Sequence, residues 1–403
     1  MKIVYYIPAL YGTGGLERII TFKANYLAEH WEGSEIYILT SEQIGRPIHY
    51  DLSPKVKHLD LNVPFDWPFN QSPISKFLKY PYRYWLFKKR FSKTLKELRP
   101  DITISTLRRE LNFISSIHDG SIKIGELHYT RHFHKEKGII GLLNMYWVKT
   151  FLKHLQSLSK LVILTHEEAN FWPELSNLYV IPNPIATFGN QLSDCSQKQV
   201  MAAGRYSDEK GFDLLIESWS IVSKRHPDWK LRIYGDGGLR TELQQQIDQA
   251  DIGQTCFLEP TTPNIADKYC ESSIFVHSSR YEGFGMVITE AMSCGVPPVA
   301  FACPCGPRDI IEHGLNGLLA QPEDINDLAT QINDLIEHED KRKEMGRNAR
   351  IRSERFRMET IAQEWKTLFE TLKVTSGIQN ICKYTKNLLL KHRKMSLTKF
   401  VRI

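Results

Sequence analysis

SSRYEGFGMVITEAMSCGVPPV, residues 278–299, follows a short apolar run, Ser273-Ile-Phe-Val-His277, that reads as a buried strand. A glycine-rich turn comes next, then a helix expected from about Phe284 to Cys294, then a second apolar run around Val299. The unit is strand, loop, helix, strand. The helix start leaves the amides of Gly283, Phe284 and Gly285 without intrahelical partners, which suits an anion. Glu282 lies in the loop and Glu290 eight positions later on the helix. A carboxylate so placed accepts hydrogen bonds from sugar hydroxyls, as the ribose-binding acid of dinucleotide folds does. The stretch therefore reads as a site for a phosphate beside a polyol, against the plainer reading of two exposed helical acids.

Working outward, the same alternation recurs along the chain. Residues 2–8 read as a strand, Gly12-Thr-Gly-Gly15 as a loop, and Leu16 to His30 as a helix. Further strands are expected at 35–40, 56–61, 101–105, 121–125, 161–164 and 178–181. Ile181-Pro-Asn-Pro184 breaks regular structure, and a polar stretch, 190–198, follows. Strands then resume at 199–203, 230–234, 255–258, 273–277 and 317–319, with helices at 212–226 and 238–250 and a helical pattern throughout 324–371. This predicts an α/β protein of two doubly wound, mostly parallel halves with ligand loops at the carboxyl ends of their strands. The expected division is 1–185, 186–355, a C-terminal helix at 356–373 crossing back to the first domain, and a basic tail at 374–403.

Other residues fall at strand ends. Gly204-Arg205 follows a strand and Lys210-Gly211 precedes a helix; Arg205 as a planar fork and Lys210 as a point charge suit a diphosphate, although single loop cations are commonly just solvated. Gly14 and Gly15 read either as turn residues or as room for a ligand. The loop at 235–238, Gly-Asp-Gly-Gly, reads first as a turn. His128 follows the strand ending near Gly125 and is a candidate for sharing a proton or donating a hydrogen bond. His132 and His134 raise a metal reading, but no carboxylate stands at helical spacing to complete a site, so no metal is expected.

Composition bounds the class. A chain of 403 residues, 42% hydrophobic and 24% charged, is long enough for two cores. Seven cysteines at irregular spacing form no disulfide framework, which fits a reducing cytoplasm. No apolar run is long enough to span a membrane, and MKIVYYIPALYG enters a strand directly, so neither a signal peptide nor an integral membrane protein is expected. The net charge of +6 is local: no acid follows Glu370, and eight Lys or Arg do, leaving the remainder at about −2. Lys76–Lys93, KFLKYPYRYWLFKKRFSK, holds seven cations, seven aromatics and no acid. Such a segment suits an anionic membrane surface, with the tail around Leu388-Leu-Leu390 as a second contact; the plain reading is a solvated face backed by core aromatics. Nothing else in the sequence supports nucleic-acid binding.

With these residues assembled, the chain resembles the retaining glycosyltransferases of family 4, which have the GT-B fold of two Rossmann-like domains facing across a cleft. The residues that carry the resemblance are Gly14-Gly15, Gly204-Arg205, Glu209-Lys-Gly211, the run from Glu282 to Glu290, and Ala291-Met-Ser-Cys-Gly-Val-Pro297. Cys303-Pro-Cys-Gly-Pro307 and Asn316-Gly-Leu-Leu319 look like a bacterial polysaccharide-assembly branch. The resemblance is dense from about 200 to 320 and thin before that. It implies transfer of a sugar from a nucleotide diphosphate sugar with retention and with neither metal nor other cofactor. Arg205 and Lys210, with the amides at Gly283, Phe284 and Gly285, would stabilise the leaving diphosphate. Glu282 would hold the transferred sugar and Glu290 the ribose. Gly15 would line the phosphate and acceptor side, and His128 would face the reacting sugar. The loop Leu258-Glu-Pro-Thr-Thr-Pro263 lacks the glycine of many relatives, so the base is inferred only as uridine. The expectation is a cytoplasmic, peripheral membrane enzyme adding a sugar to a lipid-linked or membrane-borne glycan. The alternatives are a nucleotide-sugar epimerase on the same fold and a non-catalytic nucleotide-sugar-binding subunit. A nicotinamide dehydrogenase is disfavoured because Gly12-Thr-Gly-Gly15 lacks the full dinucleotide spacing.

Overall fold

The computed structural model describes residues 1–65, 73–131, 141–185 and 191–378, with the side chains of 73–78 and 141–147 outside that set. His132, His134 and the tail from 379 onward lie outside the described residues.

The first seven strands are β1 (Lys2–Tyr6), β2 (Glu35–Thr40), β3 (Val56–Asp60), β4 (Ile102–Ser105), β5 (Ile122–Glu126), β6 (Lys160–Ile163) and β7 (Leu178–Val180). They form one sheet in the order β3-β2-β1-β4-β5-β6-β7, and the pairings from β3 to β5 are parallel. The next six are β8 (Gln199–Ala203), β9 (Lys230–Tyr234), β10 (Cys256–Glu259), β11 (Ile274–His277), β12 (Pro298–Phe301) and β13 (Leu318–Ala320). These form a wholly parallel sheet in the order β10-β9-β8-β11-β12-β13. Central strands such as β11 and β12 are buried along their whole length, as expected of parallel strands covered on both faces. The two doubly wound halves predicted from the alternation are present.

The helices are α1 (Gly15–His30), α2 (Pro73–Leu98), α3 (Gly141–Gln156), α4 (His166–Ala169), α5 (Phe212–Arg225), α6 (Arg240–Gln249), α7 (Ile265–Cys270), α8 (Met286–Ser293), α9 (Pro307–Ile310), α10 (Ile325–Glu337), α11 (Glu339–Ser353) and α12 (358–378). The helical run expected throughout 324–371 is interrupted twice. His338 leaves helical geometry at φ −114°, ψ 81°, and Arg357 does so at φ −59°, ψ 148°. Neither break carries a glycine or proline, so local sequence gave no sign of it. Asp324 caps α10 by accepting from the amides of Asn326 and Asp327.

By compactness the described residues group into two units. One comprises Met1–Glu126, Lys153–Leu161 and Ala362–Ile403; the other comprises Leu127–Leu152 and Val162–Ile361. By sheet membership the chain changes sheet between β7 and β8.

In the first unit α2 has two distinct sides. Phe87 and Phe91 are buried and meet Tyr6 and Phe113. Arg83 donates to the carbonyl of Pro64, and Arg90 to those of Leu61 and Asn62, so two of the segment's cations serve the fold. Tyr82 (64% exposed) and Trp85 (53%) face solvent and stack on each other at 6.0 Å, with the Lys89 ammonium 4.9 Å from the Trp85 ring. No helix among the described residues is long and apolar enough to cross a membrane.

The same unit buries an ion pair. Lys23 donates to Glu126, both nearly inaccessible, and its ammonium lies 5.7 Å from the Tyr5 ring and 4.6 Å from that of Trp365 on α12. Burial pushes the lysine pKa down and Glu126 only partly offsets this. Glu126→Ala is therefore expected to cost about 3–5 kcal/mol by stranding a buried cation, and Lys23→Met in the same chain to restore much of the loss. Denaturant unfolding followed by tryptophan fluorescence checks this; a double variant no more stable than Glu126→Ala would show that the loss does not come from a stranded Lys23 cation.

Candidate active site

β8 and β11 are neighbours, and the strand order reverses between them: β9 and β10 lie beyond β8, β12 and β13 beyond β11. At such a switch point the loops leaving the two strands diverge and open a crevice. Those loops, 204–211 and 278–285, carry most of the residues expected at the donor site.

The two loops are fastened together. The Arg280 amide donates to the Glu209 carbonyl at 2.9 Å, and the Ser278 hydroxyl to the Lys210 carbonyl at 2.9 Å. The Arg280 guanidinium makes a two-pronged contact with Asp213, at 2.9 and 2.6 Å. Gly211 is left-handed (φ 59°, ψ 31°), and a Cβ there would strike the Ser278 carbonyl oxygen, so only glycine permits this approach.

The consequence is that Lys210 reaches Glu282. Its Nζ donates to Glu282 Oε1 at 2.6 Å; the side chains are 21% and 11% exposed. Burial opposes ionisation of both groups, but each holds the other charged. The Glu282 carboxyl lies well below the usual carboxylate range despite burial, owing to Lys210 and then His277, and the Lys210 ammonium is raised despite burial by Glu282. The Ser279 hydroxyl also donates to Oε1 at 2.8 Å, and His277 Nε2 approaches it to 3.2 Å, off the line of a good hydrogen bond.

A cavity of about 360 Å³ opens beside this pair, lined by His128, Tyr129, Thr130, Glu209, Lys210, Tyr281, Glu282 and Gly283. All belong to the second unit. A Cβ on Gly283 would stand 2.8 Å from the His128 carbonyl oxygen, so this glycine lets the 128–130 loop lie against the start of the 283–285 turn. That loop is anchored in turn: the Cys305 thiol donates to Glu168 at 2.8 Å, and Glu168 also accepts from Trp172 Nε1 and the Arg131 amide. Burial pushes the Cys305 thiol pKa up, as suits a structural donor.

The structure thus brings together His128, Lys210, Glu282 and Gly283. Gly204 lies 3.5 Å, as a built Cβ, from the Lys210 stem. α8 begins at Met286, two residues later than expected, because Gly285 is left-handed (φ 92°) and Phe284 turns into the core against Phe356. The amides of Gly283, Phe284 and Gly285 have no acceptor among the described residues. Arg205 is exposed and does not line the cavity. Glu290 is buried on α8, accepting from the Tyr269 hydroxyl at 3.3 Å. Gly15 lies in the first unit at the start of α1. There a second cavity, of about 600 Å³, occupies the other switch point, between β1 and β4; Gly12, Glu17, Glu42, Arg108 and Arg109 contribute to its wall. His277 and Ser279 were not singled out from sequence. A histidine closing an otherwise apolar strand was the available sign.

The model for glycosyl transferases group 1 matches residues 187–352, which include both loops. A solved structure of the Staphylococcus aureus protein TarM, with UDP and α-GlcNAc-glycerol bound, superposes with a TM-score of 0.71 at 18% identity, covering 91% of this chain and 99% of that one. The chain has the GT-B fold. The chain is 28% identical over 376 residues to an uncharacterised glycosyltransferase of Haemophilus influenzae, covering 91% of this chain and 99% of that protein. It is 26% identical over 386 residues to the amylovoran biosynthesis glycosyltransferase AmsD of Erwinia amylovora, with the same coverage.

A double-variant cycle tests the geometry. Lys210→Met leaves a buried carboxylate without its cation, and Glu282→Gln removes the charge, so the two changes are expected to couple by an amount near the top of the usual ~0.5–3 kcal/mol range. Additive losses in unfolding free energy would mean the pair does not hold in solution.

Proposed function

We propose that this glycosyltransferase moves a sugar from a UDP-linked donor, with retention of anomeric configuration and without a metal ion, to a lipid-linked or membrane-borne glycan in cell-surface polysaccharide synthesis. The observation that carries the reading is the convergence of Lys210, Glu282 and Gly283 on one cavity that His128 also lines, at a turn whose amides, 283–285, have no acceptor among the described residues. As the bond to the sugar breaks, negative charge grows on the diphosphate and positive charge on the ring. Fixed cations and amide dipoles at the phosphate lower that barrier, each typically by ~3–4 kcal/mol. Lys210 takes this role, with Arg205 swinging in from solvent. Glu282 accepts hydroxyls of the transferred sugar, Glu290 those of the ribose once Tyr269 releases it, and His128 faces the reacting carbon.

UDP in the TarM complex and the polysaccharide role in the name of AmsD support the donor class and the pathway class. The acceptor occupies the crevice of the first sheet near Gly15, where Arg108 and Arg109 offer donors and Glu17 and Glu42 offer acceptors. The domain division proposed is the one at 185/186, with α12 returning to the first half. The enzyme works in the cytoplasm on the inner membrane face. The exposed face of α2 seats Tyr82 and Trp85 at the lipid interface, with Lys89 toward anionic headgroups.

Two measurements check these assignments. In a thermal-unfolding screen, UDP and one UDP-sugar at ~100 times Kd are expected to add about 2.7 kcal/mol of stability, with no requirement for a divalent ion. Nuclear magnetic resonance of the product should show the donor's anomeric configuration, and inversion would defeat the mechanism. For the membrane assignment, Lys89→Glu with Trp85→Ala should weaken sedimentation with phosphatidylglycerol vesicles at low salt, the lost lysine charge alone being worth ~1 kcal/mol. Equal binding by the variant, or none by the wild type, would count against α2 as the docking face.

A further inference from the structure

His277 closes β11, a central strand whose other positions are apolar, and is only 3% exposed. A buried imidazole there gives up hydration, and the Phe275 ring stacked 6.5 Å away offers its nitrogens nothing in return. What its Nε2 does meet is Glu282 Oε1, at 3.2 Å. Ser279, equally buried, sends its hydroxyl to the same oxygen at 2.8 Å. Three side chains therefore converge on Oε1, and among the described residues neither Lys210 nor Ser279 nor His277 is directed at Oε2.

One of the three has two duties. On the donor reading set out above, on which this inference rests, Lys210 is needed at the diphosphate, and an ammonium shared between a carboxylate and a diphosphate holds each less firmly. A carboxylate this buried then needs other donors to stay fixed and charged. We propose that His277 and Ser279 are positioning residues for sugar recognition: they hold Glu282 by Oε1 as Lys210 turns to the diphosphate, so that Oε2 stays presented to the hydroxyls of the transferred sugar. Neither touches the substrate. Their effect is confined to the sugar half of the donor, because the diphosphate and base are held by other groups.

The test separates sugar recognition from nucleotide recognition. Calorimetry measures Kd for UDP alone and for whichever of UDP-glucose, UDP-galactose and UDP-N-acetylglucosamine binds the wild type most tightly; the ratio of the two constants reports the sugar's contribution. His277→Phe keeps the ring volume and removes the donor, whereas His277→Gln places an amide nitrogen near the position of Nε2. The ratio is expected to fall about tenfold in His277→Phe, to recover in His277→Gln, and to fall several-fold in Ser279→Ala, with affinity for UDP unchanged throughout. A wild-type ratio in both His277→Phe and Ser279→Ala, or equal weakening of UDP and UDP-sugar, would overturn the proposal. Glu282→Gln is the control for the reading beneath it. If Glu282→Gln lowers the ratio while the two positioning variants do not, the positioning role alone fails; if Glu282→Gln also leaves the ratio intact, Glu282 does not recognise the sugar and both fail. Should His277→Phe not fold, Ser279→Ala decides on its own.

Discussion

Lys210 and Glu282 come from different strand-to-helix loops, and each is buried enough that neither would keep its charge easily alone. Their pairing requires the loops after β8 and β11 to lie side by side, which parallel pairing of those strands arranges. It also requires the backbones to touch, which Gly211 against the Ser278 carbonyl permits. The Arg280 clamp on Asp213 and on the Asp208 carbonyl then keeps them touching. A buried pair of this kind is weak evidence for overall stability, since desolvation offsets much of its attraction. What it supplies is fixed charge of both signs at one point, as the proposed donor, a polyanion at one end and a polyol at the other, would need.

Much of this was legible in the sequence because the local rules and the global fold agree. Strand, glycine loop and helix recur in order, and cations or acids at strand ends are conspicuous against apolar strands. The pairing itself was not legible: Lys210 and Glu282 were assigned separate tasks, and only contact across 72 positions shows that each is the other's partner. His277 and Ser279 were missed for a related reason. Read along the chain, one is the end of a strand and the other part of a loop, and their convergence on a single oxygen exists only in three dimensions. The interruptions at His338 and Arg357 escaped because neither carries a glycine or proline to mark the helix end.

The basic aromatic segment divides in a way its composition concealed. One side supplies Phe87 and Phe91 to the core and sends Arg83 and Arg90 to carbonyl groups; the other leaves Tyr82, Trp85 and Lys89 in water. Seven cations in sequence are therefore not seven cations available to a partner. Counting charge without subtracting the residues the fold has engaged overstates electrostatic attraction.

The two switch points treat their helix termini differently, and this bears on the division of labour between the sheets. At α8 the amides of 283–285 have no acceptor among the described residues, so the terminus is open to an external anion. At α1 the chain supplies its own: Glu17, in the first helical turn, folds back until its carboxylate fills the space a side chain on Gly12 or Gly14 would take. The first glycine loop thus accommodates a resident carboxylate, which disfavours a second anion at that spot. Around it the wall balances Glu17 and Glu42 against Arg108 and Arg109, with Arg109 paired to Glu42 at 2.6 Å. A wall of balanced acids and guanidinium groups offers hydrogen bonds of both polarities without net charge, which suits hydroxyl groups better than a diphosphate. The proposal that the acceptor lies at the first sheet and the nucleotide at the second draws on that difference in helix termini.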